Sequence, residues 1–149
     1  MKPPEHLPRP PHAYVPGQTP RHDEAVFASL HASVRADMDA DTLARTDAWQ
    51  AAWIYVAEGF FWEAHEVLEP IWMALPDKSP ERHFVQALIQ TANAALKLEM
   101  ARPRAVVRLC DKVDAHLAAC GDSAVIMGRS PDDIAKLISD LRQKMQDNA

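Results

Sequence analysis

The segment of residues 61–72 carries a histidine and several carboxylates among aromatic side chains. A helix turns through roughly 100° per residue, and this turn places His65, Glu69 and Trp72 on one face. Leucine and aromatic residues share that face, so we expect it to be the buried one. The four-residue spacing lets the His65 ring meet the Glu69 carboxylate. The segment therefore predicts an inward-facing pair of titratable side chains, with Glu66 on its flank.

The next predicted helix carries a second polar stripe, and aliphatic residues border it. Its members recur at helical spacing: Gln86, Gln90, Asn93 and Lys97. A polar stripe can be the solvent face of a helix, but amides without charges are also what a buried hydrogen-bond network uses. If the two helices are antiparallel neighbours, His65 and Glu69 face this stripe, and Lys97 can neutralise a glutamate.

Glu63 lies on the other side of its helix and is expected to be solvated. Truncating Glu69 or Gln90 would leave buried polar partners unsatisfied, which costs about 1–3 kcal/mol or more. Truncating an exposed carboxylate usually changes stability by less than about 0.5 kcal/mol. We therefore expect Glu69→Ala or Gln90→Ala to lower the denaturant midpoint of unfolding, and Glu63→Ala to leave it almost unchanged.

Several kinds of site are compatible with these residues. The first is a structural polar core or a binding site for a small polar ligand, with His65, Glu69 and the amides as its polar groups. The second is a metal-dependent, hydrolase-like enzyme in which His65 and Glu69 chelate an ion and Glu66 is a further ligand or a base. The third is acid–base catalysis without a metal, in which Glu69 orients His65. The fourth is a protein-interaction module built on the tryptophans of the preceding helix. The sequence identifies no catalytic residue for any enzymatic reaction.

The composition of the chain and its signals for helix starts and ends predict an all-α fold. Alanine supplies 25 of the 149 residues, whereas threonine supplies 4 and isoleucine 6; alanine is the strongest helix former, and β-branched residues favour strands. Serine–proline pairs at residues 79–80 and 130–131 are typical helix starts, and Gly59 is a typical helix stop. We expect a single compact bundle of five or six helices over residues 21–149. The predicted helices span 22–36, 41–59, 60–75, 80–101 and 103–121, and a sixth begins at 131.

Residues 1–20 hold seven of the twelve prolines. Proline fixes φ and favours extended geometry in the residue before it, so this segment is predicted to be an irregular, proline-rich arm. Leu7, Tyr14 and Val15 could anchor the arm on its own domain or on a neighbouring subunit. Recognition of a partner protein is the alternative role.

Two stretches of the central region carry a more specific pattern. One runs from Gly59 through a Glu-Ala-His-Glu sequence to Trp72, and the other runs from Phe84 to Gln90. Together they resemble the domain of unknown function 309 family over about residues 53–110. The resemblance implies a compact helical bundle with no established reaction. The polar positions of that family fall on His65, Glu66, Glu69, Trp72, Gln86 and Gln90.

This chain departs from the family pattern at two places. Ala87 stands where a glycine usually precedes the Leu-Ile-Gln element, and Ala101-Arg102 replaces a usual Gly-Asn turn. Both changes affect helix packing or a turn and leave the polar positions intact.

Charge and cysteine content restrict the setting in which the protein works. The chain has 21 acidic and 16 basic side chains, which disfavours a role in coating nucleic acid. No run approaches the ~20 apolar residues of a membrane span, and no apolar stretch follows Lys2 as in a secretory signal. We expect a cytoplasmic protein without a cofactor, whose candidate partners are a small polar ligand and a second copy of the chain. Cys110 and Cys120 are predicted to be reduced core residues.

Overall fold

The computed structural model describes residues 7–147, apart from the side chain of Glu24. Over these residues the regular structure consists of helices and no β-strand forms, so the predicted all-α class is confirmed. The described residues contain seven α-helices rather than five or six, together with a short 3-10 helix at Glu24–Phe27. The α-helices are α1 (Ala28–Ala32), α2 (Ala40–Leu43), α3 (Asp47–Glu58), α4 (Phe61–Ala74), α5 (Pro80–Glu99), α6 (Pro103–Ala119) and α7 (Pro131–Asp147).

Thr46 accounts for one of the additional helices. The hydrophobic pattern predicts one helix over residues 41–59, but Thr46 divides this range into α2 and α3. Its hydroxyl donates to the carbonyl of Leu43 at 2.8 Å and accepts from the amide of Trp49 at 3.2 Å. Its backbone is extended (φ -73°, ψ 155°). The residue therefore follows the end of one helix and caps the start of the next.

The serine–proline and glycine signals mark real helix boundaries. α5 begins at Pro80, and the Ser79 hydroxyl accepts a hydrogen bond from the amide of Arg82 at 3.1 Å. Gly59 follows α3 with a left-handed backbone, at φ 89°, which glycine adopts without the steric cost of a side chain. α6 and α7 also begin at prolines, because the first turn of a helix does not need the missing amide proton.

The chain divides into two compact units, and it passes from the first to the second between Leu75 and Pro76. In the first unit α3 packs on α4, and α1 contacts both helices. In the second unit α5 packs along α6, and α7 contacts both helices. A single bundle over residues 21–149 and a boundary at residue 20 stay predictions.

Residues 7–22 contain no helix and belong to the first unit. Leu7 and Val15 are buried, and the Tyr55 hydroxyl of α3 donates to the carbonyl of Pro8 at 2.5 Å. Residues 1–6 of the predicted proline-rich arm lie outside the described range. The contacts of residues 7–22 hold this part of the chain beside the helices of its own unit.

Two further predictions concern the helices and the cysteines. No helix within residues 7–147 is both long and apolar enough to cross a membrane. Cys110 and Cys120 are buried and form no disulfide, which agrees with their assignment as reduced core residues.

Candidate functional site

The face of α4 that is buried differs from the predicted one. The side chains of His65 and Glu69 are 34% and 52% exposed, so the prediction that they point inward is wrong. The aliphatic residues of α4 define the buried face, whereas the aromatic residues that guided the prediction are only half-buried. The buried residues recur at intervals of about one helical turn: Glu63, Ala64, Val67, Leu68 and Ile71.

Glu63 is the carboxylate that α4 carries into the interior. Its exposed fraction is 0%, so the prediction that it is solvated is wrong. Its Oε2 atom accepts a hydrogen bond from the amide of Tyr14 at 2.7 Å and lies 2.5 Å from Nε2 of His22. A buried carboxylate needs such partners because burial removes the water that would otherwise solvate it. We call Glu63, His22 and the Tyr14 amide the Glu63 node.

Other rings enclose the imidazole of the Glu63 node. The centroid of the His22 ring lies 4.5 Å from that of His12, 5.6 Å from Phe27 and 6.0 Å from Trp62. Nδ1 of His22 and Oε1 of Glu63 are also buried, and neither atom has a hydrogen-bond partner within the described residues. The side chains of His22 and Glu63 are 2% and 0% exposed, and the node holds the segment before α1 on α4.

The Glu63 node also influences Tyr55. Burial, and secondly the negative charge of Glu63, raise the pKa of Tyr55 to about 12. The phenol therefore stays protonated at neutral pH and donates to the carbonyl of Pro8. The node and this hydrogen bond tie two separate points of residues 7–22 to α3 and α4.

An open groove lies on the first unit, on the side of α4 that carries Glu66 and Glu69. Its volume is about 470 Å³. Nε2 of His31 lies 3.2 Å from the carbonyl oxygen of Glu66, which fixes one wall of the groove against α4. Met73 is 66% exposed along it. We call this the first-unit groove, and its lining residues are His31, Val34, Ala36, Glu66, Glu69, Pro70, Met73 and Ala74.

The structure brings part of the predicted cluster together in this groove. Glu66 and Glu69 both line it. Nε2 of His65 lies 3.7 Å from Oε2 of Glu69, which is an ion-pair distance but is too long for a hydrogen bond. Trp72 is half-buried and is not among the lining residues. The predicted His65–Glu69 pair is therefore a loose surface contact.

The polar stripe of α5 belongs to the second unit. Gln86, Gln90, Asn93 and Lys97 are all half-buried. The side-chain amide of Asn93 donates to Oε1 of Gln90 at 3.2 Å. That these side chains face His65 and Glu69 stays a prediction.

A second imidazole pair lies in the second unit. Nδ1 of His83, in α5, is 3.0 Å from Nδ1 of His116, in α6. Burial, and then the charges of His83 and Lys112, lower the pKa of His116. Sγ of Cys120 lies 3.3 Å from the carbonyl oxygen of His116, and burial raises the pKa of this thiol.

No group of three or more histidine, cysteine, aspartate or glutamate side chains within residues 7–147 has the arrangement of a metal site. Metal binding by His65 and Glu69, and the hydrolase-like activity that would also use Glu66, stay predictions.

Comparison with known proteins supports the resemblance noted in the sequence. Residues 49–109 match the family model described as Domain of unknown function (DUF309). The predicted resemblance is thus confirmed, and the matched range contains Glu63 and both acidic residues of the groove. No curated protein and no solved structure matches the chain.

The sequence patterns miss several residues of the Glu63 node and the groove. Some of them lie before the DUF309 match, and Glu63 is predicted to lie on the solvent-exposed face of α4. His22, Tyr14 and His31 precede residue 49, and no local pattern links them to α4. Glu63, in contrast, could have been recognised, because it lies one turn before Val67 on the aliphatic face of α4. Met73 carries no such signal, since an exposed methionine on a helix is not distinctive.

Proposed function

We propose that the protein binds a small organic cation in the first-unit groove. The observation that carries this proposal is the composition of the groove, in which the carboxylates of Glu66 and Glu69 stand beside apolar surface from Val34, Pro70 and Met73. Carboxylates form strong hydrogen bonds with an ammonium group, and apolar walls bury the carbon atoms attached to it. This composition favours an amine over an anion or a neutral sugar.

The size of the groove fits this class of ligand. Its volume of about 470 Å³ lies within the range of roughly 300–1,000 Å³ that is usual for small-molecule sites. The lining residues include no lysine or arginine that would compete for the carboxylates. The formal charge of the whole chain is -5, and such a field raises the rate at which cations reach an acidic site.

The availability of Glu69 also supports binding. Its side chain is 52% exposed, and the 3.7 Å separation from His65 leaves its oxygens able to accept hydrogen bonds from another donor. Glu66 lies one turn of helix away on the same wall. A primary ammonium group has three donors and can bond to both carboxylates at once. Glu66 and Glu69, two members of the predicted cluster, thus form the acidic part of a site on the surface.

The test uses three probes with the same carbon chain: hexylammonium, hexanol and hexanoate. Each is titrated into the ¹⁵N-labelled protein, and amide shifts near Val34 and Met73 are followed by NMR. We expect hexylammonium to shift these signals at lower concentration than hexanol, and hexanoate to leave them in place. Loss of a hydrogen bond to a charged group costs about 1.5–3 kcal/mol. The variant Glu66→Gln/Glu69→Gln should therefore bind hexylammonium roughly ten to a hundred times more weakly.

The matched control is Glu99→Gln, which removes a carboxylate from α5 in the second unit. It makes the same kind of change to a glutamate and should leave the Kd for hexylammonium unaltered. Equal binding of hexylammonium and hexanol would contradict the proposal. So would an equal loss of affinity in Glu99→Gln, because the effect would then come from net charge alone.

A further inference from the structure

Two histidines join the beginning of α5 to the end of α6. Nδ1 of His83 and Nδ1 of His116 are 3.0 Å apart, and the ring centroids are 5.3 Å apart. At this distance the Nδ1–H of one ring donates a hydrogen bond to the Nδ1 lone pair of the other. In the uncharged pair, therefore, one ring is protonated on Nδ1 and its partner is protonated on Nε2.

This hydrogen bond tolerates one additional proton but not two. The donor ring can take the first proton on its Nε2 atom, and its Nδ1–H continues to donate. The second proton has to go to the acceptor Nδ1, so both facing nitrogens then carry hydrogen. The hydrogen bond is lost, and two positive rings repel each other at close range. The pair holds when neutral or singly protonated and separates when doubly protonated.

The surroundings oppose a charge on both rings at once. Lys112, on α6, repels a proton on His116, and burial of the ring acts in the same direction. His83 lies in the first turns of α5, with its Nδ1 atom 3.0 Å from that of His116. Arg142, on α7, forms ion pairs with Asp111 and Asp114 of α6. Glu81, on α5, acts on the neighbouring thiol of Cys120.

Cys120 contacts the same two helix ends as the histidine pair. Its Sγ atom lies 3.6 Å from the carbonyl oxygen of Pro80, at the start of α5, and 3.3 Å from that of His116. The residue is only 2% exposed. The contact with His116 lies within the last turn of α6, whereas the contact with Pro80 crosses to α5. Separation of the rings would therefore break the Pro80 contact and uncover the thiol.

We propose that His83 and His116 form an acid-operated latch over Cys120, and that double protonation opens the latch and exposes the thiol to modification. Near neutral pH the rings share one hydrogen bond and Cys120 is protected. In acid the ends of α5 and α6 separate locally. Cys120 is then a thiol whose accessibility depends on pH.

The experiment measures the reaction of Cys120 with 4,4′-dithiodipyridine, a reagent that attacks thiols in acid as well as at neutral pH. Cys110→Ala removes the other cysteine, and N-acetylcysteine supplies the reference rate at each pH. Histidine titrates near pH 6.5, so the measurement runs from about pH 7.5 to about pH 5. We expect the rate of Cys120 relative to the reference to rise at least about fivefold across this range, as local opening becomes more frequent.

The informative variant is His83→Gln, because glutamine can still hydrogen-bond to His116 but cannot become a cation. We expect its relative rate to vary little with pH, and the NMR titration midpoint of His116 to move to higher pH. His65→Gln, which changes a histidine of the first unit, should keep the full acid response. The inference is wrong if the relative rate is flat in the parent protein, or if His83→Gln responds to acid as the parent does. If His83→Gln does not fold, His116→Gln supplies the same test of thiol reactivity.

Discussion

Glu63 and Glu69 lie six residues apart on the same helix, in entirely different surroundings. Glu63 is fully buried and bonded to His22 and the Tyr14 amide. Glu69 is 52% exposed and lines the first-unit groove. The difference shows that position around the helix, and not residue type, decides what a carboxylate does. The Glu63 node contributes to folding, whereas the groove keeps its carboxylates available to a ligand.

The largest effect should follow removal of the buried carboxylate. Glu63→Ala leaves the His22 ring and the Tyr14 amide without their acceptor. A buried donor left unsatisfied costs about 1–3 kcal/mol, so the two together cost roughly 2–6 kcal/mol. We expect a decrease of that size in the free energy of unfolding, measured by urea denaturation. Glu63→Gln keeps one carbonyl oxygen as an acceptor and should lose less. An effect of Glu63→Ala no larger than that of Glu69→Ala would remove the distinction between the two regions.

A double-mutant cycle tests whether His22 and Glu63 act as one unit. Each single substitution to alanine strands the other side chain, so the double variant should be more stable than the sum of the two losses predicts. Residues in direct contact usually show interaction energies of about 0.5–3 kcal/mol. The same cycle on His65 and Glu69, which are 3.7 Å apart on the surface, should give a value close to zero. Similar coupling in both cycles would mean that burial does not matter.

Alkaline pH should weaken the contacts around the Glu63 node through Tyr55. The pKa of Tyr55 is raised from 10.0 to about 12 in the folded protein. Between these values the unfolded chain loses the phenol proton first, so the free energy of unfolding falls as pH rises. The fall should be visible as a decrease in Tm between about pH 10 and 12, and Tyr55→Phe should make that decrease smaller. At neutral pH the same variant should lose about 0.5–1.5 kcal/mol, the usual contribution of one hydrogen bond. An identical alkaline profile in Tyr55→Phe would show that other groups control it.

The smallest effect on stability should come from the groove. Glu69→Ala removes an exposed carboxylate that lies 3.7 Å from His65, too far for a hydrogen bond. Such changes usually alter stability by less than about 0.5 kcal/mol. We expect its urea midpoint to match that of the unmodified chain, whereas its affinity for hexylammonium falls. A loss of more than about 1 kcal/mol would place Glu69 among the structural residues.

The local signals of the sequence predict the helices well and the site only in part. Ser79 and Gly59 mark helix boundaries because capping and glycine chemistry act within a few residues. Val67 and its aliphatic neighbours indicate the buried face of α4 correctly, whereas the aromatic residues indicate a different face. The partners of Glu63 could not be found in this way. His22 and Tyr14 lie 41 and 49 residues before it, and no local pattern links positions that far apart in the sequence.

The hydrogen bond from the Tyr14 amide has a consequence for how the chain tolerates change at its beginning. The donor belongs to the main chain, so any residue except proline at position 14 could supply it. For this hydrogen bond the path of the backbone matters, whereas the Tyr14 ring makes a separate edge-on contact with Trp62. Loss of the first 22 residues, however, would remove the Tyr14 amide and the His22 ring together and leave Glu63 bare inside the protein. Removal of this segment by a proteolytic cut just after His22 would thus destabilise the whole first unit in one step.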